Sequence, residues 1–114
     1  MKIAFTSTGV SWDSMIDARF GRTEYILIYD DETQQLTAVN NSSVKNEAHG
    51  AGTATAQKIY ELKPNVLITG NGPGENASRA IKQLNMKIYI DAQEMSIKQA
   101  YAHFKNGKLK EIKI

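Results

Sequence analysis

Cysteine is absent from this 114-residue chain. That absence excludes disulfides, thiolate nucleophiles and the all-cysteine ligation by which most iron-sulfur clusters are held, so any metal cluster here must be met by other side chains. Histidine is nearly as scarce: His49 and His103 are the only two, and their spacing fits no metal-ligand pattern. No apolar run approaches the roughly 20 residues that cross a bilayer, and Thr6-Ser7-Thr8-Gly9 interrupts the opening apolar stretch too early for a secretory signal. A cytoplasmic protein without membrane contact is expected. Charge of one sign is also in short supply, because a net charge of +2 is too small to imply a nucleic-acid partner. The lysines collect near the C-terminus, five against one glutamate between Lys98 and Ile114, and read as a solvated lysine-rich tail.

What is present is an ordinary globular composition, 41% hydrophobic and 23% charged, at a length that suits one domain over residues 1–114. Folding should bury roughly two thirds of the extended chain's surface. Lys2-Ile3-Ala4-Phe5-Thr6 reads as a short opening strand, followed by a polar loop of about 17 residues that runs to Thr23. Loops of that length are more often functional than short ones. Glu24 to Asp30 and Leu36 to Val39 flank the turn residues Asp30-Asp31-Glu32-Thr33, an antiparallel hairpin. Residues 40–50 form a second polar loop, irregular by its lack of periodicity. Ala51, Thr55, Ile59 and Leu62 then recur at helical spacing until Lys63-Pro64 stops the helix.

Val66-Leu67-Ile68-Thr69 reads as a buried strand, Gly70 to Gly74 as a turn, and Ala77, Ala80, Ile81 and Leu84 as one face of a helix that Asn85 caps in a left-handed conformation. Lys87-Ile88-Tyr89-Ile90 is a further strand. Ser96-Ile97-Lys98-Gln99 is a capping-box pattern opening a last helix with Ile97, Ala100, Tyr101 and Phe104 on its apolar face; His103 falls off that stripe, towards solvent, and Asn106-Gly107 ends the helix. The order of elements implies an α/β fold, a three-layer α/β/α sandwich around a mixed sheet.

In such sheets ligands sit beyond the carboxyl ends of the parallel strands. Gly50-Ala51-Gly52-Thr53 opens a helix whose unpaired backbone N–H groups suit an anion, although glycines also serve helix packing. Thr69-Gly70-Asn71-Gly72-Pro73-Gly74 holds three glycines in five residues, more than a simple turn needs, and makes a second candidate nest of donors. Asp17-Ala18-Arg19-Phe20-Gly21-Arg22-Thr23 sets two always-charged arginines around a glycine turn, with Asp17 placed to orient one of them. The bland reading of each arginine is a surface ion pair; Phe20 is read as core. His49, just before the glycine-rich helix start, is the one plausible metal ligand. No nucleophile elbow surrounds Ser7, Thr8, Ser11 or Ser14, and the opening strand offers no carboxylates for magnesium. An enzyme is not expected.

Together the Arg19-Phe20-Gly21 turn, Gly50-Ala51-Gly52, Gly70 to Gly74 and Ala100-Tyr101-Ala102-His103-Phe104 with Asn106-Gly107 resemble the dinitrogenase iron-molybdenum cofactor biosynthesis family of nitrogenase accessory factor-like proteins. The resemblance implies a ribonuclease-H-like sheet of five strands in the order 3-2-1-4-5, with strand 2 antiparallel. It also implies a carrier that binds an iron-sulfur or iron-molybdenum cluster and exchanges it with a cluster donor or acceptor protein. Family members carry histidine before the Phe-Gly pair, where this chain has Arg19, which neutralises an anionic cluster but does not ligate iron. The site implied comprises Arg19, Arg22, His49, Gly50, Gly52, Gly70, Asn71, Gly72 and Gly74. Two other readings use the same loops: a sensor of small anions or nucleotide phosphates, and a partner-binding module with a vestigial pocket.

Overall fold

Alternation along the strands decides what each face of the sheet meets. In β1 (Lys2–Ser7), Ile3 and Phe5 point to one side and Ala4 to the other; in β2 (Tyr25–Asp30), Leu27 opposes Ile26 and Ile28 in the same way. The computed structural model describes residues 1–45 and 50–114. Its other elements are β3 (Gln35–Asn40), a helical turn α1 (Ser42–Lys45), α2 (Ala51–Leu62), β4 (Val66–Ile68), α3 (Glu75–Ile81) with a 3-10 turn over Lys82–Leu84, β5 (Lys87–Ile90), α4 (Ile97–Lys105) and β6 (Lys110–Ile112).

One sheet runs in the order β3-β2-β1-β4-β5-β6. Strands β1, β4 and β5 are parallel, while β2 is antiparallel to β1 and to β3. The 3-2-1-4-5 order with strand 2 reversed is thus borne out, and β6 extends it, antiparallel to β5 through Ile88 opposite Ile112. This corrects the reading of the lysine-rich segment as a solvated tail: Leu109 and Ile112 pack on opposite faces of the sheet while the lysines between and beyond them stay in water. Three residues are too few to show a period of two.

The layers follow from the helices. Ala56 and Ile59 of α2 and Ala77 and Ile81 of α3 pack with Ala4, Ile26, Leu67 and Ile88 on one face. Ile97 and Ala100 of α4 close the other face over Ile3, Phe5, Leu27 and Ile68. The local signals behave as their chemistry requires. Ser96 accepts from the Gln99 N–H at 3.1 Å while Gln99 Oε1 accepts from the Ser96 N–H at 2.9 Å, the reciprocal capping box. Lys63, before Pro64, ends α2 in the left-handed region at φ 51°, as Asn85 ends the 3-10 turn at φ 51°.

Two further readings need correction. The 40–50 segment is not irregular throughout, since Asn40 Oδ1 accepts from the Ser42 N–H at 2.8 Å and starts the turn α1. His103 is half-buried, its Nδ1 lying 3.1 Å from Met95 Sδ in the loop before α4.

Candidate functional site

The long first loop crosses the carboxyl end of the parallel strands and is fixed there by polar groups that water does not reach. Thr6, Ser7, Asp17, Thr23, Thr55 and Thr69 are all buried, so each must find its partner inside the protein. The Thr6 hydroxyl donates to the Asp17 carbonyl at 2.8 Å, and Thr69 Oγ1 lies 2.8 Å from Thr6 Oγ1. Because Thr6 spends its single proton on that carbonyl, Thr69 supplies the proton between the two hydroxyls. The relay ties the ends of β1 and β4 to the loop. Thr55 of α2 donates to the Gly21 carbonyl at 2.7 Å and accepts from Asn41 Nδ2 at 3.0 Å, which ties the same loop to the helix.

Asp17 sets the shape of the Arg19 turn. Its Oδ1 accepts from the Arg19 N–H at 3.1 Å and from Arg19 Nε at 3.2 Å, and its Oδ2 accepts from Arg19 Nη2 at 3.3 Å and from the Glu24 N–H at 3.3 Å. The carboxylate is buried to 4% exposure, whereas the arginine is 58% exposed. The hydrogen bonds from Asp17, and next its negative charge, raise the Arg19 pKa above its ordinary value, so the guanidinium stays charged at any pH at which the protein is folded. Phe20, 3% exposed, inserts on the α2 side of the sheet. Burying it is worth about 2–3 kcal/mol, more than the about 0–1 kcal/mol of an exposed ion pair. Phe20 therefore anchors the turn and Asp17 aims it.

The glycines divide by role. A Cβ on Gly70 would lie 2.7 Å from Ala18 Cα, and the adjoining Asn71 N–H donates to the Ala18 carbonyl at 2.7 Å, so the turn after β4 touches the first loop backbone to backbone. A Cβ on Gly21 would meet Gly52 N and Cα at 2.9 Å, which joins the first loop to the start of α2. Gly72 instead faces Ile112 and Ile90, a packing position at the β5–β6 edge. Gly50 stands at φ 79° with open space around it, and a Cβ on Gly74 would meet nothing within 4 Å.

Gly50 and Gly74 are the N-caps of α2 and α3, and neither helix start has a side-chain cap. Both open onto one pocket of about 290 Å³ lined by Gly50, Gly52, Thr53, Gly74, Glu75, Asn76 and Ala77. Among the described residues no side-chain cap bonds the first-turn N–H groups, which gives such a pocket an excess of donors. Glu75 is the charged side chain of the lining, and it pairs with Arg79 at 2.8 Å one turn later. The structure thus brings Gly50, Gly52 and Gly74 to one pocket and joins Arg19, Gly70 and Asn71 to it through the Gly21–Gly52 and Ala18–Gly70 contacts. The arginines do not line that pocket; Arg22 is half-buried in the same turn. His49 lies outside the described residues. Among the described residues no group of three or more His, Cys, Asp or Glu converges to hold a metal ion. A larger open hollow of about 470 Å³, around Lys2, Asp30, Glu61 and Lys63, lies at the other end of the strands.

A family model described as dinitrogenase iron-molybdenum cofactor matches residues 1–107. The chain belongs to this family. Among its relatives, an uncharacterised protein of Methanocaldococcus jannaschii is 29% identical over 101 residues, covering 87% of this chain and 84% of the relative. The apo form of the orange protein from Desulfovibrio gigas superposes with a TM-score of 0.89 at 30% identity, over 97% of this chain and 92% of that one. A NifB-like protein of the DUF35 family from Thermotoga, solved by NMR, superposes with a TM-score of 0.81 at 31% identity, over 96% and 91%. Membership associates the chain with cluster or cofactor binding. No helix among the described residues is long and apolar enough to cross a membrane.

Sequence reasoning misses the threonines. Thr55 falls in an apolar stripe and Thr6 and Thr69 read as strand ends, yet they carry the hydrogen bonds that hold the cofactor family's loops together here. A β-branched hydroxyl at a core-facing position just before a glycine-rich loop is the signal that could have found them.

Proposed function

We propose that this chain is a non-catalytic carrier that reversibly binds an anionic iron-sulfur or iron-molybdenum type cluster, or a related metal oxyanion, on the rim formed by Arg19, Arg22, His49, Gly50, Gly52, Gly70, Asn71, Gly72 and Gly74. One domain over residues 1–114 carries it. The observation that supports the reading most is the pairing of two helix starts capped by glycine on a single pocket, beside an arginine turn locked by a buried carboxylate. Elsewhere the chain caps a helix fully, as α4 shows. Leaving α2 and α3 without side-chain caps keeps their N–H groups available to an anion.

The donor set fits a cargo held by hydrogen bonds and charge better than one held by coordination. Arginine and backbone N–H groups donate to anionic sulfide or oxide and do not ligate metal, and the candidate ligand is His49 alone. Cargo held this way is released readily, which suits exchange with a cluster donor or acceptor protein. The Desulfovibrio gigas orange protein, similar over 97% of this chain, was solved as an apo form. A second reading, a sensor of phosphate-type anions, draws on the same backbone donors.

Equilibrium dialysis against molybdate and against inorganic phosphate separates the two. The carrier reading expects molybdate retained over phosphate, with Arg19→Ala weakening it about 10-fold, the lower end for a charged hydrogen bond at a half-exposed site. Tighter phosphate binding selects the sensor, and equal affinity for wild type and Arg19→Ala removes Arg19 from the site.

A further inference from the structure

We infer that β3 is a docking edge for a second copy of this chain, the two sheets joining antiparallel across a twofold axis at Ala38. β3 ends the sheet, and its hydrogen-bonding phase follows from the register. The Asp31 N–H donates to the Met1 carbonyl and the Asn41 N–H to the Glu24 carbonyl, each continuing the ladder beside it. Counting alternate residues inward from both bonds gives one answer: residues 35, 37 and 39 bond to β2, and Leu36, Ala38 and Asn40 turn their N–H and C=O groups outward.

The two edges of the sheet are treated differently. β6 is three residues long with Lys110 and Glu111 in it and Lys113 just beyond, the short charged form that discourages pairing. β3 has six residues, Gln35-Leu36-Thr37-Ala38-Val39-Asn40, with no charge, no proline and an unbroken register against β2. Among the described residues its one protection is at the Asn40 end, where Lys58 Nζ meets the Asn40 carbonyl.

The edge is also self-complementary. Antiparallel pairing centred on Ala38 sets it opposite the partner's Ala38 and sets Leu36 opposite the partner's Asn40, so each outward donor meets an outward acceptor, as an isologous contact requires. Ala38 is exposed and small, which lets the strands close. Charge agrees with the same direction. At the Asn40 end Lys58 Nζ donates to the Asn40 carbonyl at 3.2 Å, and at the Gln35 end the hairpin turn carries the exposed Glu32 beside Asp31, which pairs with the Met1 ammonium. The twofold axis brings the lysine end of each copy to the acidic turn of the other, where Lys58 exchanges that carbonyl for carboxylates.

Sedimentation equilibrium of the full chain from micromolar to millimolar concentration tests this. The mass should rise from 12.7 kDa towards twice that value. Ala38→Lys and Ala38→Glu each place like charges directly opposite across the axis and should each stay monomeric, while an equimolar mixture of the two should recover the dimer. The recovered mixed dimer also shows that both variants are folded. A wild-type chain monomeric throughout overturns the inference. So does a dimer that survives Ala38→Lys, or a mixture that stays monomeric.

Discussion

Gly70→Ala tests how the site is assembled, because the added methyl has nowhere to go. Its Cβ would sit 2.7 Å from Ala18 Cα and 3.1 Å from the Ala18 carbonyl oxygen, where ordinary contact begins near 3.4 Å. Both neighbours are backbone, so no side chain can swing aside. The turn after β4 and the first loop must part by about 0.7 Å. That movement stretches the 2.7 Å bond from the Asn71 N–H to the Ala18 carbonyl beyond the normal hydrogen-bond range. Overpacking costs about 1–3 kcal/mol and a weakened hydrogen bond up to about 1 kcal/mol more, so we expect a loss of about 2–3 kcal/mol in urea unfolding at unchanged m, or roughly 10 °C in Tm. Gly74→Ala is the control. It has open space and φ of −70°, so its stability should stay within about 0.5 kcal/mol of wild type. If Gly70→Ala matches Gly74→Ala, the backbone contact between the two loops does not hold the site together.

Three further outcomes follow from the same geometry. Asp17→Ala strips the N–H groups of Arg19 and Glu24 of their acceptor in a buried setting and should cost about 2–3 kcal/mol by chemical denaturation; Asp17→Asn, which keeps an acceptor, should cost less. Thr6→Val keeps the shape but leaves the Asp17 carbonyl without the Thr6 proton and the Thr69 hydroxyl with only the Asn71 carbonyl at 3.3 Å, and a loss of about 1–3 kcal/mol is expected; a neutral result would mean the relay is not needed. For pH, Arg19 has its pKa raised by the Asp17 hydrogen bonds, so its protonated form carries its contribution at all pH values below that raised value. Anion retention measured from about pH 6 to about pH 10 should therefore show no loss from Arg19; a fall within that range that Arg19→Ala abolishes would contradict it.

The elements that are legible in the sequence carry their own local chemistry. The hairpin around Asp30 to Thr33, the α4 capping box and the left-handed Asn85 each depend on side chains within four residues, and each stands where those side chains put it. What is hidden depends on contacts distant in sequence. β6 exists because Leu109 and Ile112 reach opposite faces of a sheet whose other strands are complete by Ile90, and three residues show no period. The separation of Gly72, which packs on Ile112, from Gly70, which meets Ala18, cannot be seen in a glycine-rich string. Likewise Thr55 looks apolar in a helical stripe until Gly21, 34 residues away, comes to accept its proton.

If the rim around Arg19 and the glycine-capped helix starts holds an anionic cluster, the protein must take one up when offered it. Metal content and the visible spectrum of protein prepared without oxygen, before and after incubation with an iron-sulfur or iron-molybdenum cluster donor, test this most directly. Stoichiometric metal with a charge-transfer band, weakened in Arg19→Ala, is the result predicted here. Protein that stays colourless and metal-free after incubation contradicts it.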